Sequence, residues 1–90
     1  MGYKLGIKEN IVIINSKSSL EFYEVKEIVE DLNNSNGTNY KYAISNDSLG
    51  YWRGYDLANN KSIYCGTMSE KTSIQQVKEY IDEKTKNSSD

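Results

Sequence analysis

The chain contains no histidine and no proline, and only one cysteine, one tryptophan and one arginine among its 90 residues. The absence of histidine removes the most common general base, the most common metal ligand and the usual switch near neutral pH. With Cys65 as the only cysteine, no intramolecular disulfide can form. Small secreted domains often depend on disulfides, so we expect a cytoplasmic protein.

Long apolar segments and a strong charge excess are also missing. No apolar run approaches the roughly 20 residues of a membrane-spanning helix, and the first residues lack the apolar region of a signal peptide. Lysine and arginine together number 11 against 13 acidic residues, a net charge of −2. A domain that binds nucleic acid mainly through its phosphates is expected to be strongly basic. The composition therefore predicts a small domain with no membrane partner and favours a protein partner over nucleic acid.

Sequence motifs for catalysis are absent. The chain has neither the glycine-rich patterns that bind phosphates nor the G-x-S-x-G pattern of serine hydrolases. Cys65 has no histidine to act as a base and lies in an apolar segment, so we expect a small buried hydrophobic residue. We predict that the protein is not an enzyme and has no catalytic residues, metal site or cofactor.

Apolar periodicity predicts one α+β domain over residues 1–86, followed by a frayed tail at 87–90. The predicted elements are strands within 3–15, a helix at 19–33, strands at 40–46, 50–56 and 61–66, and a helix at 73–85. Residues 3–15 are compatible both with one long bulged strand and with a hairpin. The order is β(β)-α-β-β-β-α, and we expect an antiparallel sheet of four to five strands with both helices on one face.

The first predicted helix has two contrasting faces. Its apolar stripe contains Phe22, Val25, Ile28, Val29 and Leu32. The opposite arc contains Tyr23, Glu24, Glu27, Glu30 and Asp31. Such an arc could bind a basic groove on a partner protein, because opposite charges speed the encounter of two proteins. The alternative is an ordinary solvated helix face.

The predicted strand at 50–56 gives a second candidate surface. Tyr51, Arg53 and Tyr55 share one face of this strand, and Trp52 points to the other, where we expect it to enter the core. Tyrosine and arginine are enriched at the energetically dominant positions of protein interfaces. We therefore predict a partner-binding row, and we expect joint loss of Tyr51 and Tyr55 to abolish binding without changing stability. The alternative is a set of cross-strand pairs that stabilises a solvent-facing sheet.

Two family resemblances point to nucleic acid. The segment GYWRGYD, followed by KSIYCGT and an amphipathic helix, is similar to the sheet-plus-helix domains at the N-termini of tyrosine recombinases. It also resembles the strand–strand–strand–helix of HicB-type antitoxins, whose G-Y-x-V-x-x-P-D pattern has a proline that is missing here. These resemblances imply a sheet-based nucleic-acid-binding or antitoxin-like regulatory protein. The residues themselves suggest Trp52, Arg53 and Lys61 as the centre of such a surface, because a sheet with tryptophan and arginine can lie in a groove or stack on bases. A third interpretation is a regulatory domain that self-associates through a strand edge.

Our leading hypothesis is a small non-enzymatic protein that acts by binding another protein. The chain is rich in asparagine, lysine, isoleucine and tyrosine, which suggests an AT-rich bacterial or phage genome. The most specific form of the hypothesis is a phage or mobile-element inhibitor of a host nucleic-acid-processing or defence enzyme.

Overall fold

The structure is a computed structural model that describes residues 3–88. This part of the chain contains five strands and two helices. In chain order they are β1 (Lys4–Lys8), β2 (Ile11–Asn15), α1 (Phe22–Asn36), β3 (Tyr42–Asn46), β4 (Trp52–Asp56), β5 (Lys61–Thr67) and α2 (Glu70–Ser88). The predicted α+β class and element order are confirmed. Residues 89–90 of the predicted tail lie outside the described residues, and α2 continues to Ser88.

All five strands form one sheet in the order β1-β2-β3-β4-β5. Three of the four strand pairs are antiparallel, but β2 and β3 are parallel. The prediction of a purely antiparallel sheet is therefore wrong at this pair. The physical reason is that α1 lies between β2 and β3 in the chain and acts as a crossover, which returns the chain to the end of the sheet where β2 began.

The two helices cover opposite faces of the sheet. The core on the α2 side contains Ile11, Ile13, Ile44, Trp52, Cys65, Ile74 and Val77. The core on the α1 side contains Val12, Ile14, Val25, Val29, Ala43, Tyr55 and Leu57. Successive β2 residues thus enter different cores, as strand geometry requires. The prediction of both helices on one face is wrong, because β2 is a central strand that is buried on both sides at residues 11–14.

Residues 3–15 form a hairpin, which is one of the two arrangements that the sequence allows. Glu9 and Asn10 adopt left-handed backbone conformations, with φ of 54° and 67°, and connect the paired residues Lys8 and Ile11. Two residues with positive φ match the twist of the flanking strands. The Glu9 carboxylate also accepts a hydrogen bond from Lys78 Nζ at 2.7 Å, which joins this turn to α2.

Both helices begin away from the capping residues that the sequence pattern predicts. The patterns place caps at Ser18 and Thr72. In the structure α1 begins after Glu21, whose backbone N–H donates to the Glu24 carboxylate at 2.8 Å. α2 begins after Ser69, whose hydroxyl accepts a hydrogen bond from the Thr72 backbone N–H at 3.1 Å. The start of each helix is thus displaced by one turn, that of α1 toward the C-terminus and that of α2 toward the N-terminus.

Asp56 is a buried carboxylate at the end of β4, with none of its surface exposed. Its Oδ2 accepts hydrogen bonds from the Tyr80 hydroxyl at 2.8 Å, the Asn59 side chain at 2.9 Å and Lys84 Nζ at 3.4 Å. Burial raises the pKa of Asp56, but the hydrogen bonds from Asn59, Tyr80 and Lys84 together outweigh it and hold the pKa below its ordinary value. The carboxylate therefore stays charged and joins α2 to the β4–β5 turn.

This network predicts a change in stability at alkaline pH. The hydrogen bond to Asp56 and partial burial raise the pKa of Tyr80 from 10.0 to about 12. Because the folded pKa lies above the unfolded one, the contribution of Tyr80 is complete below pH 10.0 and is lost as the pH rises toward about 12. We expect Tyr80→Phe to cost about 1 kcal/mol at neutral pH and progressively less above pH 10.0. Urea unfolding of both proteins across this range measures the difference, and a cost independent of pH would contradict the assignment.

Candidate functional site

A cleft of about 500 Å³ opens beside the carboxyl ends of the parallel strands β2 and β3, on the α1 side of the sheet. Its walls come from the segment between β2 and α1 and from the ends of β3, β4 and β5. We refer to it as the Arg53 cleft, with Ser18, Asp47, Tyr51, Arg53 and Tyr64 among its lining residues. The carboxyl ends of parallel strands are a common position for binding sites in sheets with helices on both faces.

Asn46 holds one wall of this cleft in place. The residue is buried at the end of β3, and its Oδ1 accepts the backbone N–H groups of Ser16 at 2.9 Å and Lys17 at 2.7 Å. Its Nδ2 donates to Asn15 Oδ1 at 2.8 Å. Lys17 has a left-handed φ of 55°, which these bonds help to maintain. The segment that leads into Ser18 is therefore fixed against β3.

Asp47 shapes the opposite wall through the β3–β4 turn. Its Oδ1 accepts the backbone N–H groups of Leu49 at 2.9 Å and Tyr51 at 3.0 Å. Gly50 takes a φ of 92°, a conformation that glycine adopts without strain. These contacts position Tyr51 in the lining of the cleft, and they occupy part of the Asp47 carboxylate with backbone donors.

Arg53 shares the lining of the cleft with two exposed tyrosines. It is exposed and pairs across the strands with Tyr64 of β5. Tyr64 is 88% exposed and Tyr51 is 45% exposed. The Arg53 guanidinium makes no hydrogen bond or ion pair with any other described residue. The cleft thus presents an unpaired cation together with two exposed aromatic side chains.

Tyr55 also lines the cleft, but it is buried there, whereas the sequence predicts an exposed binding residue. Its side chain is 2% exposed and packs edge-on against Phe22 of α1, with ring centroids 5.7 Å apart. Arg53 and Tyr55 do share a sheet face, but α1 covers the part that carries Tyr55. Tyr64 was missed by the sequence analysis and completes the exposed row instead. The available signal was its position between Ile63 and Cys65, two residues that point to the α2 side.

The three residues predicted for nucleic-acid binding are not brought together. Trp52 contributes to the lining of the Arg53 cleft, but it is 6% exposed and its side chain lies in the core on the α2 side. Lys61 also lies on the α2 side, where it lines a shallow depression with Tyr80. Arg53 lies on the α1 side. A nucleic-acid strand could not contact all three residues on one face of the sheet.

The acidic arc of the first helix is largely present on the outer surface of α1. Tyr23 is 69% exposed, and Glu27, Glu30 and Asp31 are also exposed. Glu24 differs, because it is half-buried and its carboxylate accepts the backbone N–H at the helix start. The remaining four side chains form a second candidate surface, separate from the Arg53 cleft.

Other kinds of site find little support in residues 3–88. No group of three or more cysteine, aspartate or glutamate side chains in this range is placed to hold a metal ion. Cys65 is buried, and burial raises the pKa of its thiol, which disfavours the reactive thiolate. No helix in the described part of the chain is long and apolar enough to cross a membrane.

Comparison of the chain with protein-family models, with curated proteins and with solved structures finds no match. The resemblances to recombinase domains and to antitoxins therefore stay predictions from sequence. The geometry and chemistry of the Arg53 cleft are the basis for a functional proposal.

Proposed function

We propose that the protein is a non-enzymatic binding protein that recognises another protein through the Arg53 cleft. The observation that carries the proposal is the unpaired Arg53 in one cleft with the exposed side chains of Tyr51 and Tyr64. Arginine and tyrosine are enriched among the residues that dominate binding energy at protein interfaces. Neither Arg53 nor Tyr64 makes a polar side-chain contact within residues 3–88 that would account for its placement.

Exposed apolar side chains adjoin the cleft and extend this surface. Leu49 is 72% exposed and Met68 is 62% exposed. The Met68 methyl group lies 3.2 Å from the position that a Cβ on Gly50 would take, so the β3–β4 turn and the residues before α2 are in contact. Methionine, tyrosine and arginine together are the composition typical of an interface core. An apolar patch that borders a charged cleft is a common feature of protein-binding surfaces.

The charge of the cleft indicates what the partner presents. Arg53 is the only cation among the described lining residues, and the one acidic lining residue, Asp47, already accepts two backbone hydrogen bonds. A guanidinium binds a carboxylate through two parallel hydrogen bonds. We therefore propose a partner segment with an aspartate or glutamate flanked by apolar side chains. Nucleic acid is the alternative, but a single cation supplies few phosphate contacts.

A more specific form of the proposal concerns biological context. It is a cytoplasmic phage or mobile-element protein that inhibits a host nucleic-acid-processing or defence enzyme. Its support is the composition, rich in asparagine, lysine, isoleucine and tyrosine, together with the acidic outer face of α1. That face is the alternative interface for this form, because it would suit the basic groove in which such an enzyme holds nucleic acid.

A pull-down from lysate of the source cell tests the proposal, with Tyr64→Ala and Tyr23→Ala as a matched pair. Both tyrosines are well exposed, so neither change should alter the free energy of unfolding by more than about 0.5 kcal/mol. We expect the wild type and Tyr23→Ala to capture one dominant protein that survives nuclease treatment. Tyr64→Ala should lose it, because a dominant interface residue contributes about 2 kcal/mol or more.

Two results would redirect the proposal. Loss of capture with Tyr23→Ala, but not with Tyr64→Ala, would place the interface on the acidic face of α1. Recovery that disappears after nuclease treatment would favour the nucleic-acid alternative instead. In either case the Arg53 cleft would not be the protein-binding site.

A further inference from the structure

A different surface lies at the opposite edge of the sheet, along β1. This strand pairs only with β2, and all five of its residues are exposed. Leu5 and Ile7 are each 42% exposed, and Tyr3, which precedes the strand, is 47% exposed. An exposed edge strand with apolar side chains is a template for pairing with another strand.

The backbone N–H and C=O groups of β1 point alternately to β2 and to the open edge of the sheet. Lys8 and Ile11 close the two-residue turn of the hairpin, and in such hairpins the closing pair exchanges backbone hydrogen bonds. The even-numbered residues of β1 therefore direct their N–H and C=O groups to β2. The odd-numbered residues, Leu5 and Ile7, direct theirs to the open edge. Tyr3 continues the same alternation if the strand is extended by one residue.

The side chains of β1 alternate in the same way. Leu5 and Ile7 pair with Ile14 and Val12, so they lie on the α1 side of the sheet. The even-numbered residues are two lysines and one glycine, and they lie on the α2 side. The residues with open backbone groups are thus also the apolar ones, whereas the charged residues are already paired through their backbone.

We propose that two copies of the protein associate through antiparallel β1 strands, about a twofold axis at Leu5. In this register Leu5 faces Leu5, Tyr3 faces Ile7 and Lys4 faces Gly6. Aromatic and β-branched residues make favourable cross-strand pairs, and no lysine opposes a lysine. A twofold axis at Gly6 would instead oppose Lys4 with Lys8, and an axis at Ile7 would oppose Leu5 with Glu9. The alternation of apolar and charged residues therefore favours a second copy in one register.

This association would have a consequence for binding. It joins two sheets into one of ten strands, five from each copy, with both α1 helices on the same face. The Arg53 cleft lies toward the other edge of each sheet and stays open. Two clefts on one face can bind a partner with repeated sites more tightly than one cleft can. A two-strand edge contact is a small interface, so we expect a weak dimer that forms at high protein concentration.

Gly6 provides the test, because opposite charges can be placed at one position. A Cβ at Gly6 would meet no atom within 4 Å, so both glutamate and lysine fit the monomer. Gly6→Glu would face Lys4 of the second copy twice by symmetry, and we expect it to strengthen association by roughly two- to thirtyfold. Gly6→Lys should weaken association by a similar factor. Adding Lys4→Glu to Gly6→Lys should restore it.

Sedimentation equilibrium over a concentration series up to the millimolar range measures these effects, with circular dichroism to check that each variant folds. Slower amide exchange at Leu5 in the wild type at high concentration is a second readout that needs no variant. A wild type and Gly6→Glu that both stay monomeric would overturn the proposal. Changes of the same sign for Gly6→Glu and Gly6→Lys would also overturn it, because only a facing lysine distinguishes the two charges.

Discussion

We expect Tyr55→Ala to lower the free energy of unfolding by about 3–5 kcal/mol, the largest change among the substitutions considered. The Tyr55 ring is 2% exposed, packs edge-on against Phe22, and pairs within the sheet with Ala43 on one side. Alanine would leave a cavity between α1 and the sheet. A chain of this length has a total stability of about 5–13 kcal/mol, so the variant would be marginally folded.

Two control variants test whether the loss of stability in Tyr55→Ala comes from removal of a buried ring. Tyr55→Phe keeps the ring and should retain most of the stability. Tyr51→Ala removes a tyrosine that is 45% exposed, and we expect a change of about 0.5 kcal/mol or less. Urea unfolding followed by circular dichroism gives all three values. Equal losses for Tyr55→Ala and Tyr51→Ala would contradict the burial of Tyr55 under α1.

The second large effect is expected at Gly54, where a side chain of α2 packs directly against the sheet backbone. A Cβ at this position would lie 2.8 Å from Val77 Cγ2 and 3.2 Å from the Ile63 Cβ. Both neighbours belong to the packed core on the α2 side, so neither can move freely. We expect Gly54→Ala to cost about 1–3 kcal/mol by overpacking. The measurement is again the free energy of unfolding in urea.

A second substitution, Val77→Ala, tests whether steric overlap with Val77 causes the destabilisation by Gly54→Ala. Val77→Ala alone should also destabilise the protein, because it removes buried methyl groups. The space that it creates should accommodate the new Cβ, so the double variant should lose less than the sum of the two single losses. We expect a coupling of about 1 kcal/mol between these contacting residues. Strictly additive losses would show that Gly54 is required for another reason.

The sequence predicts the elements of this fold better than their arrangement. The apolar stripe of α1, including Val25 and Val29, follows from its helical period, and the strands follow from apolar alternation and turn residues. Alternation within a strand does not reveal which strands pair or in which direction. The four consecutive apolar residues of β2 were the one signal for a strand covered on both faces, and hence for helices on opposite sides.

The Arg53 cleft was predictable only in part, because alternation shows which side chains share a sheet face but not which of them a helix covers. Tyr51 and Arg53 are exposed where the sequence places them, and alternation correctly puts Arg53 and Tyr55 on one sheet face. Which part of that face α1 covers depends on tertiary packing, so the burial of Tyr55 could not be predicted. The role of Asn46 was also hidden, because its side chain binds the backbone of Ser16 and Lys17 about thirty positions earlier.

The central claim is that the Arg53 cleft binds another protein, and a calorimetric titration of the captured partner tests it most directly. The wild type, Tyr64→Ala and Tyr23→Ala are compared, because the two tyrosines are both exposed but lie on different surfaces. We expect Tyr64→Ala to weaken binding by about thirtyfold or more and Tyr23→Ala to leave it unchanged. Equal affinities of the wild type and Tyr64→Ala would contradict the claim.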